Sequence, residues 1–191
     1  MAYIRRVEEI LRGIEQDSKK RNLPIIGPIK GRVLDDVVIQ TKPKVILEIG
    51  TLVGYSALRM SRFLPSGARI MCVEISNSFA EEAQDNFSKA GLSNMIQIII
   101  GDAKEVIPNL KETVDLLFLD AEKINYLTYL NLAERMLHKG STIVADNAGM
   151  AASEMQNFLS YVRESPLYQS KYHDFDLDGW HDGVEVSTKI G

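Results

Sequence analysis

The chain alternates between short apolar runs and longer amphipathic segments. The runs lack a strict alternation of apolar and polar positions, which is typical of parallel strands buried on both faces. The segments between them repeat apolar residues at spacings of three and four, as amphipathic helices do. The apolar runs are Val45–Ile49, Arg69–Val73, Ile96–Ile100, Leu116–Leu119 and Thr142–Ala145. The helical segments between them are Tyr55–Phe63, Ser78–Ala90, Lys104–Leu110 and Tyr126–Leu137.

This order predicts an α/β fold, with a mostly parallel sheet, right-handed crossovers and helices on both faces. Two further helices, near Tyr3–Lys20 and Gly31–Thr41, precede the first strand. The tail, Tyr168–Ile190, predicts two strands around a turn at Asp178 and Gly179, which suits an antiparallel hairpin at the sheet edge.

Glycines mark two of the predicted helix ends. Gly91 and Gly140 follow helical segments at the position where a left-handed glycine commonly ends a helix. We expect one domain over 1–191, in which 1–42 forms helices that cap the site and 43–191 forms a Rossmann-like core.

Composition and charge narrow the class of protein. The chain has 191 residues, of which 45% are hydrophobic and 25% charged, as in ordinary globular domains. A net charge of -4 disfavours a binder that relies on phosphate contacts. Cys72 is the single cysteine, which suits a reducing compartment. The charged N-terminus is no signal peptide, and no apolar run approaches the roughly 20 residues of a membrane helix, so we expect a cytoplasmic protein.

Acidic residues stand at or just after the ends of the predicted strands, where open α/β sheets bind their ligands. Helix capping explains some of these acids but not all of them. A shared ligand site at this edge of the sheet is therefore the stronger interpretation. The acids are Glu48, Glu74, Asp102, Asp120 and Asp146.

The first three of these acids describe a cofactor site. Gly50 lets the backbone turn sharply after the first strand, but the loop lacks the spacing of a dinucleotide fingerprint. Glu74 can accept hydrogen bonds from two ribose hydroxyls, and Asp102 can meet an adenine amino group. Glu48 favours a cationic ligand and opposes a phosphate. S-adenosylmethionine, with its amino group and sulfonium, therefore fits better than NAD.

The last two strand ends predict a metal site. Asp120, Asp146 and Asn147 supply only oxygen ligands, which suits Mg²⁺, with Mn²⁺ as an alternative, and disfavours zinc. Lys123 follows Asp120 by three residues and can reach the same site. A nearby divalent cation favours the neutral, proton-accepting form of a lysine, which predicts a general base for a hydroxyl held by the metal.

At these residues the chain resembles the catechol O-methyltransferase family of class I S-adenosylmethionine-dependent methyltransferases. The resemblance runs from about Leu23 to Ile190 and rests on LEIGTLVGYSALRM, CVEIS, FLDAEK, VADN and NFLSYVRES. It implies a Rossmann-like, mostly parallel seven-stranded sheet with an antiparallel C-terminal hairpin. It also implies in-line methyl transfer from the sulfonium to a hydroxyl of a vicinal diol, catechol-like, with Lys123 as the catalytic base.

The resemblance also implies the remaining contacts. The substrate would meet Lys123, Asn147 and a third acid, for which Asp178 is the first choice and Asp176 the second. The implied cofactor residues are Ile26, Glu48, Gly50, Tyr55, Ser56, Glu74, Ile75, Asp102, Ala103 and Asp120.

The substrate slot departs from the family. Asn22 and Glu122 stand where the mammalian enzymes carry tryptophans, and Ala148–Ser153 contains no proline. These changes weaken the prediction that the substrate is a catechol more than they weaken the prediction of metal-dependent methyl transfer. Glu122 favours a more polar substrate.

Three alternatives stay open at this point. A tRNA nucleoside hydroxyl is one, since Lys19–Arg21, Lys30 and Arg32 could touch phosphates. A non-catalytic binding module is another, opposed by the intact metal set and lysine, and a NAD-dependent dehydrogenase is opposed by the glycine spacing. The oligomeric state, monomer or homodimer, also stays open.

Overall fold

The computed structural model of the chain describes residues 2–177 and 179–191. Within these ranges the strands are β1 Val45–Ile49, β2 Arg69–Glu74, β3 Ile96–Ile100, β4 Val114–Leu119, β5 Leu137–Ala145, β6 Tyr168–Leu177 and β7 Trp180–Lys189. They form one sheet of seven strands in the order β3-β2-β1-β4-β5-β7-β6. β1 to β5 pair in parallel, whereas β7 runs antiparallel to both β5 and β6. The predicted parallel sheet with an antiparallel edge hairpin is confirmed.

Helices connect the strands and precede the first of them. They are α1 Ala2–Arg21, α2 Gly27–Thr41, α3 Tyr55–Ser61, α4 Asn77–Ala90, α5 Ala103–Val106, α6 Tyr126–Ala133 and α7 Gln156–Glu164. Short 3-10 turns follow α5 and α6 at Ile107–Asn109 and Glu134–Met136, and a third, Lys123–Asn125, precedes α6. Across the described ranges, no helix combines the length and the apolar character that a membrane crossing requires.

Two hydrophobic layers cover the two faces of the sheet. In β1, Ile46 belongs to the layer shared with α1 to α4, and its neighbour Leu47 belongs to the layer shared with α5 to α7. Both side chains are fully buried. Since adjacent residues of a strand point to opposite faces, burial on both faces explains why the runs are apolar without alternation.

Two predicted boundaries were wrong. Gly140 does not end a helix: α6 ends at Ala133, and Gly140 lies inside β5. β5 reaches back to Leu137 because Leu137 pairs with Val114 of β4; the residues 138–141 then form an irregularity before Thr142 pairs with Leu116, which no local sequence pattern predicts. The second wrong boundary is the start of α2, which was predicted at Gly31 and lies at Gly27. Pro28 fits the first turn of this helix because a proline has no backbone N–H that would need an intrahelical acceptor. Gly91 is the left-handed C-cap that was predicted.

Candidate active site

The carboxyl ends of the central strands open into a cavity of about 260 Å³. Its walls combine backbone and side chains of the loop after β1, the acid that ends β2, the start of α5 and the residues after β4. All of the predicted cofactor residues except Glu48 line it, namely Ile26, Gly50, Tyr55, Ser56, Glu74, Ile75, Asp102, Ala103 and Asp120.

Two glycines shape the loop between β1 and α3. Gly50 has a φ of 88°, and a side chain there would collide with the backbone carbonyl of Asp120. Gly54 has a φ of 85°, and an added Cβ would lie 2.5 Å from the ring of Phe87. The first glycine therefore lets the loop approach the end of β4, and the second lets α3 begin close against α4.

Glu74 is held in place but keeps acceptor capacity. Its two carboxylate oxygens accept hydrogen bonds from the backbone amides of Leu52 at 2.8 Å and Ser76 at 2.9 Å. Each carboxylate oxygen can accept a further hydrogen bond. The side chain is nearly buried at the cavity wall, so both oxygens can face a diol such as a ribose.

Glu48 takes a different position from the one predicted. Its side chain is fully buried, and its carboxylate accepts hydrogen bonds from the hydroxyls of Thr51 at 2.6 Å and Ser56. Burial raises the pKa of Glu48, against the lowering effect of those hydroxyls. Glu48 therefore supports the loop from beneath rather than lining the cavity, and any effect on a cofactor acts through Thr51, Ser56 and its charge.

Asp102 caps α5 through a hydrogen bond from the backbone amide of Lys104 at 2.8 Å. Its other carboxylate oxygen lies 3.5 Å from the Lys104 ammonium. Helix capping therefore accounts for part of the role of Asp102. The contact of Asp102 and Ala103 with adenine stays a prediction, which their position in the cavity wall supports.

Asp120 and Asp146 lie side by side beyond the paired ends of β4 and β5. Burial raises the pKa of Asp120, although Lys123 and Lys30 oppose the shift. Burial and the Asp120 carboxylate together raise the pKa of Asp146. Two carboxylates that repel each other in a poorly solvated position favour the binding of a cation between them.

The donor set fits a hard divalent cation. Oδ1 of Asp146 is buried without a hydrogen bond of acceptable geometry, although the Lys30 ammonium lies 2.8 Å away. Within the described ranges no three His, Cys, Asp or Glu side chains form a candidate metal group, so a third protein ligand here would be the Asn147 amide. Two carboxylates and an amide oxygen suit Mg²⁺, and no nitrogen or sulfur ligand of zinc takes part.

Lys123 lies beside the carboxylate of Asp120. It begins the 3-10 turn before α6, and its ammonium lies 3.0 Å from Oδ1 of Asp120. The same ammonium lies 5.4 Å from the centre of the Tyr126 ring, a cation–π distance. Asp120 and Tyr126 thus fix the lysine beside the carboxylate pair.

Lys30 and Asp182 are site residues that the sequence interpretation missed. Lys30 is 5% exposed, and its ammonium contacts Asp146 at 2.8 Å and Asp182 at 2.5 Å. The prediction that Lys30 could touch a tRNA phosphate was therefore wrong, because the side chain is enclosed. The position of Lys30 within the apolar start of α2 could have indicated a buried lysine with an acidic partner. Nothing in the sequence around Asp182, apart from its charge, indicated that Asp182 is this partner.

Asp182 is ionised by its surroundings. Burial alone would raise its pKa, but hydrogen bonds from Lys30 and from backbone amides outweigh burial and lower it. One of its oxygens also accepts a hydrogen bond from Nδ2 of Asn147 at 3.0 Å. Asn147 holds this position with a left-handed φ of 60°, which asparagine tolerates better than most residues.

The predicted third substrate acid is not settled by the fold. Asp178 lies outside the described residues, and Asp176 is exposed on β6 opposite His181. Glu122 lines the cavity, and Asn22 is exposed. Large exposed apolar side chains neighbour the site residues along the chain, namely Ile29, Ile124, Met150 and Trp180.

Comparisons with known proteins agree with this geometry. Residues 5–158 match the family model described as O-methyltransferase. The chain is 36% identical over 175 residues to catechol O-methyltransferase of Mus musculus, covering 87% of this chain but 65% of that protein. It is 37% identical over 175 residues to catechol O-methyltransferase of Sus scrofa, covering 87% of this chain and 93% of that protein. The crystal structure of the O-methyltransferase from Bacillus cereus in complex with SAH superimposes with a TM-score of 0.85 at 27% identity, covering 95% of this chain and 90% of that chain.

Proposed function

We propose, since this chain belongs to the catechol O-methyltransferase family of class I O-methyltransferases, that it transfers a methyl group from S-adenosylmethionine to one hydroxyl of a vicinal diol. The acceptor would be a catechol-like small molecule, and the reaction would depend on Mg²⁺ or Mn²⁺. The observation that carries the proposal is the position of Asp120. This residue lines the cofactor cavity and also faces Asp146 and Lys123, so donor and acceptor sites share one wall.

The donor is positioned by the cavity. Glu74 would accept hydrogen bonds from the ribose hydroxyls, while Ile26 and Ile75 would supply apolar walls of the cavity that they line. Glu48 beneath the loop would keep Thr51 and Ser56 in place, so that the loop holds its shape around the donor. Holding donor and acceptor in line in this way removes much of the entropic barrier of a bimolecular methyl transfer.

The acceptor is activated at the carboxylate pair. Asp120, Asp146 and Asn147 would hold the divalent cation, which lowers the pKa of a bound hydroxyl. Lys123 in its neutral form would take the hydroxyl proton at its Nζ, which lies 3.0 Å from Oδ1 of Asp120. The neighbouring apolar side chains Ile124 and Met150 suit an aromatic or aliphatic diol better than a phosphorylated one.

The experiment is a methylation assay with purified protein, S-adenosylmethionine, Mg²⁺ and a panel of catechols, aliphatic diols and tRNA transcripts. We expect S-adenosylhomocysteine to form with a small diol and to disappear when EDTA is added. Turnover on tRNA alone would contradict the small-molecule proposal, and undiminished turnover in EDTA would contradict the metal.

The Lys123→Met variant tests the base. Because general-base catalysis contributes about 10² to 10⁴ in rate, turnover should fall by at least a hundredfold. S-adenosylmethionine affinity, measured by calorimetry, should stay within about twofold. Lys111→Met is the matched control: it removes an exposed lysine that does not line the cavity and should leave the turnover number near that of the parent protein. Equal turnover of Lys123→Met and the parent would remove the base role.

A further inference from the structure

Behind the proposed metal ligands lies a buried ion pair, formed by Lys30 of α2 and Asp182 of β7. Lys30 is 5% exposed and Asp182 is fully buried, so neither charge is solvated. Buried charges of this kind are costly unless they are paired and fully hydrogen-bonded. The proposed methyl transfer assigns no step to this pair, which therefore requires its own explanation.

Asp182 accepts more hydrogen bonds than a simple ion pair needs. Its Oδ2 accepts from the Lys30 ammonium at 2.5 Å and from Nδ2 of Asn147 at 3.0 Å. Its Oδ1 accepts from the backbone amides of Met150 at 3.0 Å and Gly149 at 3.3 Å. Every contact is with a donor, and three of the four donors belong to the loop after β5, namely Asn147, Gly149 and Met150. The carboxylate thus ties that loop to β7.

Close backbone packing supports the same attachment. A Cβ on Gly149 would lie 2.7 Å from the backbone carbonyl carbon of Asp182. The backbone amide of Ala148 also donates to the carbonyl of Gly183 at 2.8 Å. The loop after β5 and the start of β7 are therefore in direct contact, and Asp182 has little freedom to move away from Asn147.

The orientation of the Asn147 amide follows from this contact. A primary amide has one end that donates and one that accepts, and an ionised carboxylate only accepts. Asn147 must therefore turn its nitrogen towards Asp182, which leaves its oxygen as the end available to a cation. We infer that Asp182 is a positioning residue: it fixes the Asn147 amide with its oxygen towards the metal site, while Lys30 holds Asp182 and Asp146 together.

This inference rests on the proposed function, because it assumes that Asn147 is a metal ligand. Partners that orient a metal ligand typically change metal affinity by about 10- to 100-fold when they are replaced. Lys30 contacts the carboxylates of Asp146 and Asp182 at the same time, at 2.8 Å and 2.5 Å, and so holds the two residues together.

The decisive variant is Asp182→Asn. The new amide nitrogen at position 182 would face the side chain of Asn147. Because two amide nitrogens cannot hydrogen-bond to each other, the Asn147 amide would rotate by about 180° and point its nitrogen, rather than its oxygen, at the cation. We expect Mn²⁺ affinity, measured by electron paramagnetic resonance titration, to fall by at least tenfold. S-adenosylmethionine affinity should stay within about twofold, since Asp182 does not line the cofactor cavity.

The double variant Asn147→Asp with Asp182→Asn provides the rescue. A carboxylate at 147 carries oxygen at both ends, so it can accept from the amide at 182 and still present oxygen to the cation. The net charge of the site is unchanged. Mn²⁺ affinity should return to within about threefold of the parent protein, whereas damage to packing alone would not be repaired by this exchange.

Asp174→Asn is the matched control, because it neutralises an exposed carboxylate on the adjacent strand and should change nothing. Unchanged Mn²⁺ affinity in Asp182→Asn would overturn this inference alone. Absence of Mn²⁺ binding in the parent protein would overturn the proposed metal site together with it. If thermal unfolding shows that Asp182→Asn is not folded, the double variant decides the question. Restored Mn²⁺ binding by the double variant supports the inference, and a double variant that is unfolded or does not bind Mn²⁺ contradicts it.

Discussion

The two ends of β4 and β5 carry carboxylates in opposite electrostatic states. At the carboxyl end, Asp120 and Asp146 are poorly solvated, and the pKa of each is raised. At the amino end, Asp115 is partly exposed and accepts hydrogen bonds from the backbone amides of Lys44 and Val45 and from His138. Although its partial burial acts in the opposite direction, these partners lower the pKa of Asp115.

The difference lies in the partners rather than in the residue type. At the amino end, the carboxylate of Asp115 accepts hydrogen bonds from several donors. At the carboxyl end, Asp120 and Asp146 lie together, and the neighbouring lysines do not fully offset the unfavourable burial of the two carboxylates. Such unfavourable clusters persist where a ligand completes them, which is why perturbed ionisable groups concentrate at functional sites. The carboxyl end should therefore be important for activity and the amino end for stability only.

The largest expected effect comes from Asp146→Asn. Removal of this carboxylate should lower turnover by at least about a hundredfold, comparable to the loss of an essential electrostatic group. Without metal, the same variant should unfold at an equal or higher temperature, because one of two repelling buried charges is gone and Lys30 keeps Asp182. A large fall in the metal-free unfolding temperature would break the contrast between the two ends.

A second effect is the pH dependence of stability without metal. Because the folded-state pKa of Asp146 is raised, the folded protein binds protons more tightly there than the unfolded chain does. Stability should therefore decrease as pH rises from about 4 through the raised pKa. In EDTA, thermal unfolding should occur at a lower temperature at pH 8 than at pH 6, and Mg²⁺ should stabilise the protein more at pH 8. A stabilisation by Mg²⁺ that is larger at pH 6 would have the wrong sign.

The smallest effect is expected for His138→Gln at the amino end. The Asp115 carboxylate and the backbone carbonyl of Lys139 raise the pKa of His138, so its stabilising charge is fully present below the ordinary value near 6.5 and is lost as pH rises through the raised pKa. The pair is largely exposed, so solvent screening limits its contribution to a few tenths of a kcal/mol. Urea unfolding should show this small loss at pH 5.5 and none at pH 9, with turnover unchanged at both. Reduced turnover would contradict the contrast.

Much of the fold could be predicted because burial on both faces leaves a local pattern. The bounds of β1 and β3 agree with their apolar runs, and the acids that follow the strands marked the correct edge of the sheet. The extension of β5 back to Leu137 could not be predicted, because polar residues separate Leu137 from the apolar run and Leu137 joins the sheet only by pairing with Val114 of β4. The enclosed position of Glu48 was equally invisible, since the hydroxyls that surround it reach it only after the loop has folded.

The sequence by itself determined the layer architecture, the glycine loop and the identity of the acids at the ligand edge, because each depends on residues close together in the chain. Only the tertiary structure decided that Lys30 and Asp182, from the first part of the chain and from its last strand, meet behind Asp146 and Asn147. The physical reason is that a buried charge takes its partner from whatever element packs beside it, and packing between distant elements leaves no period or spacing in the sequence.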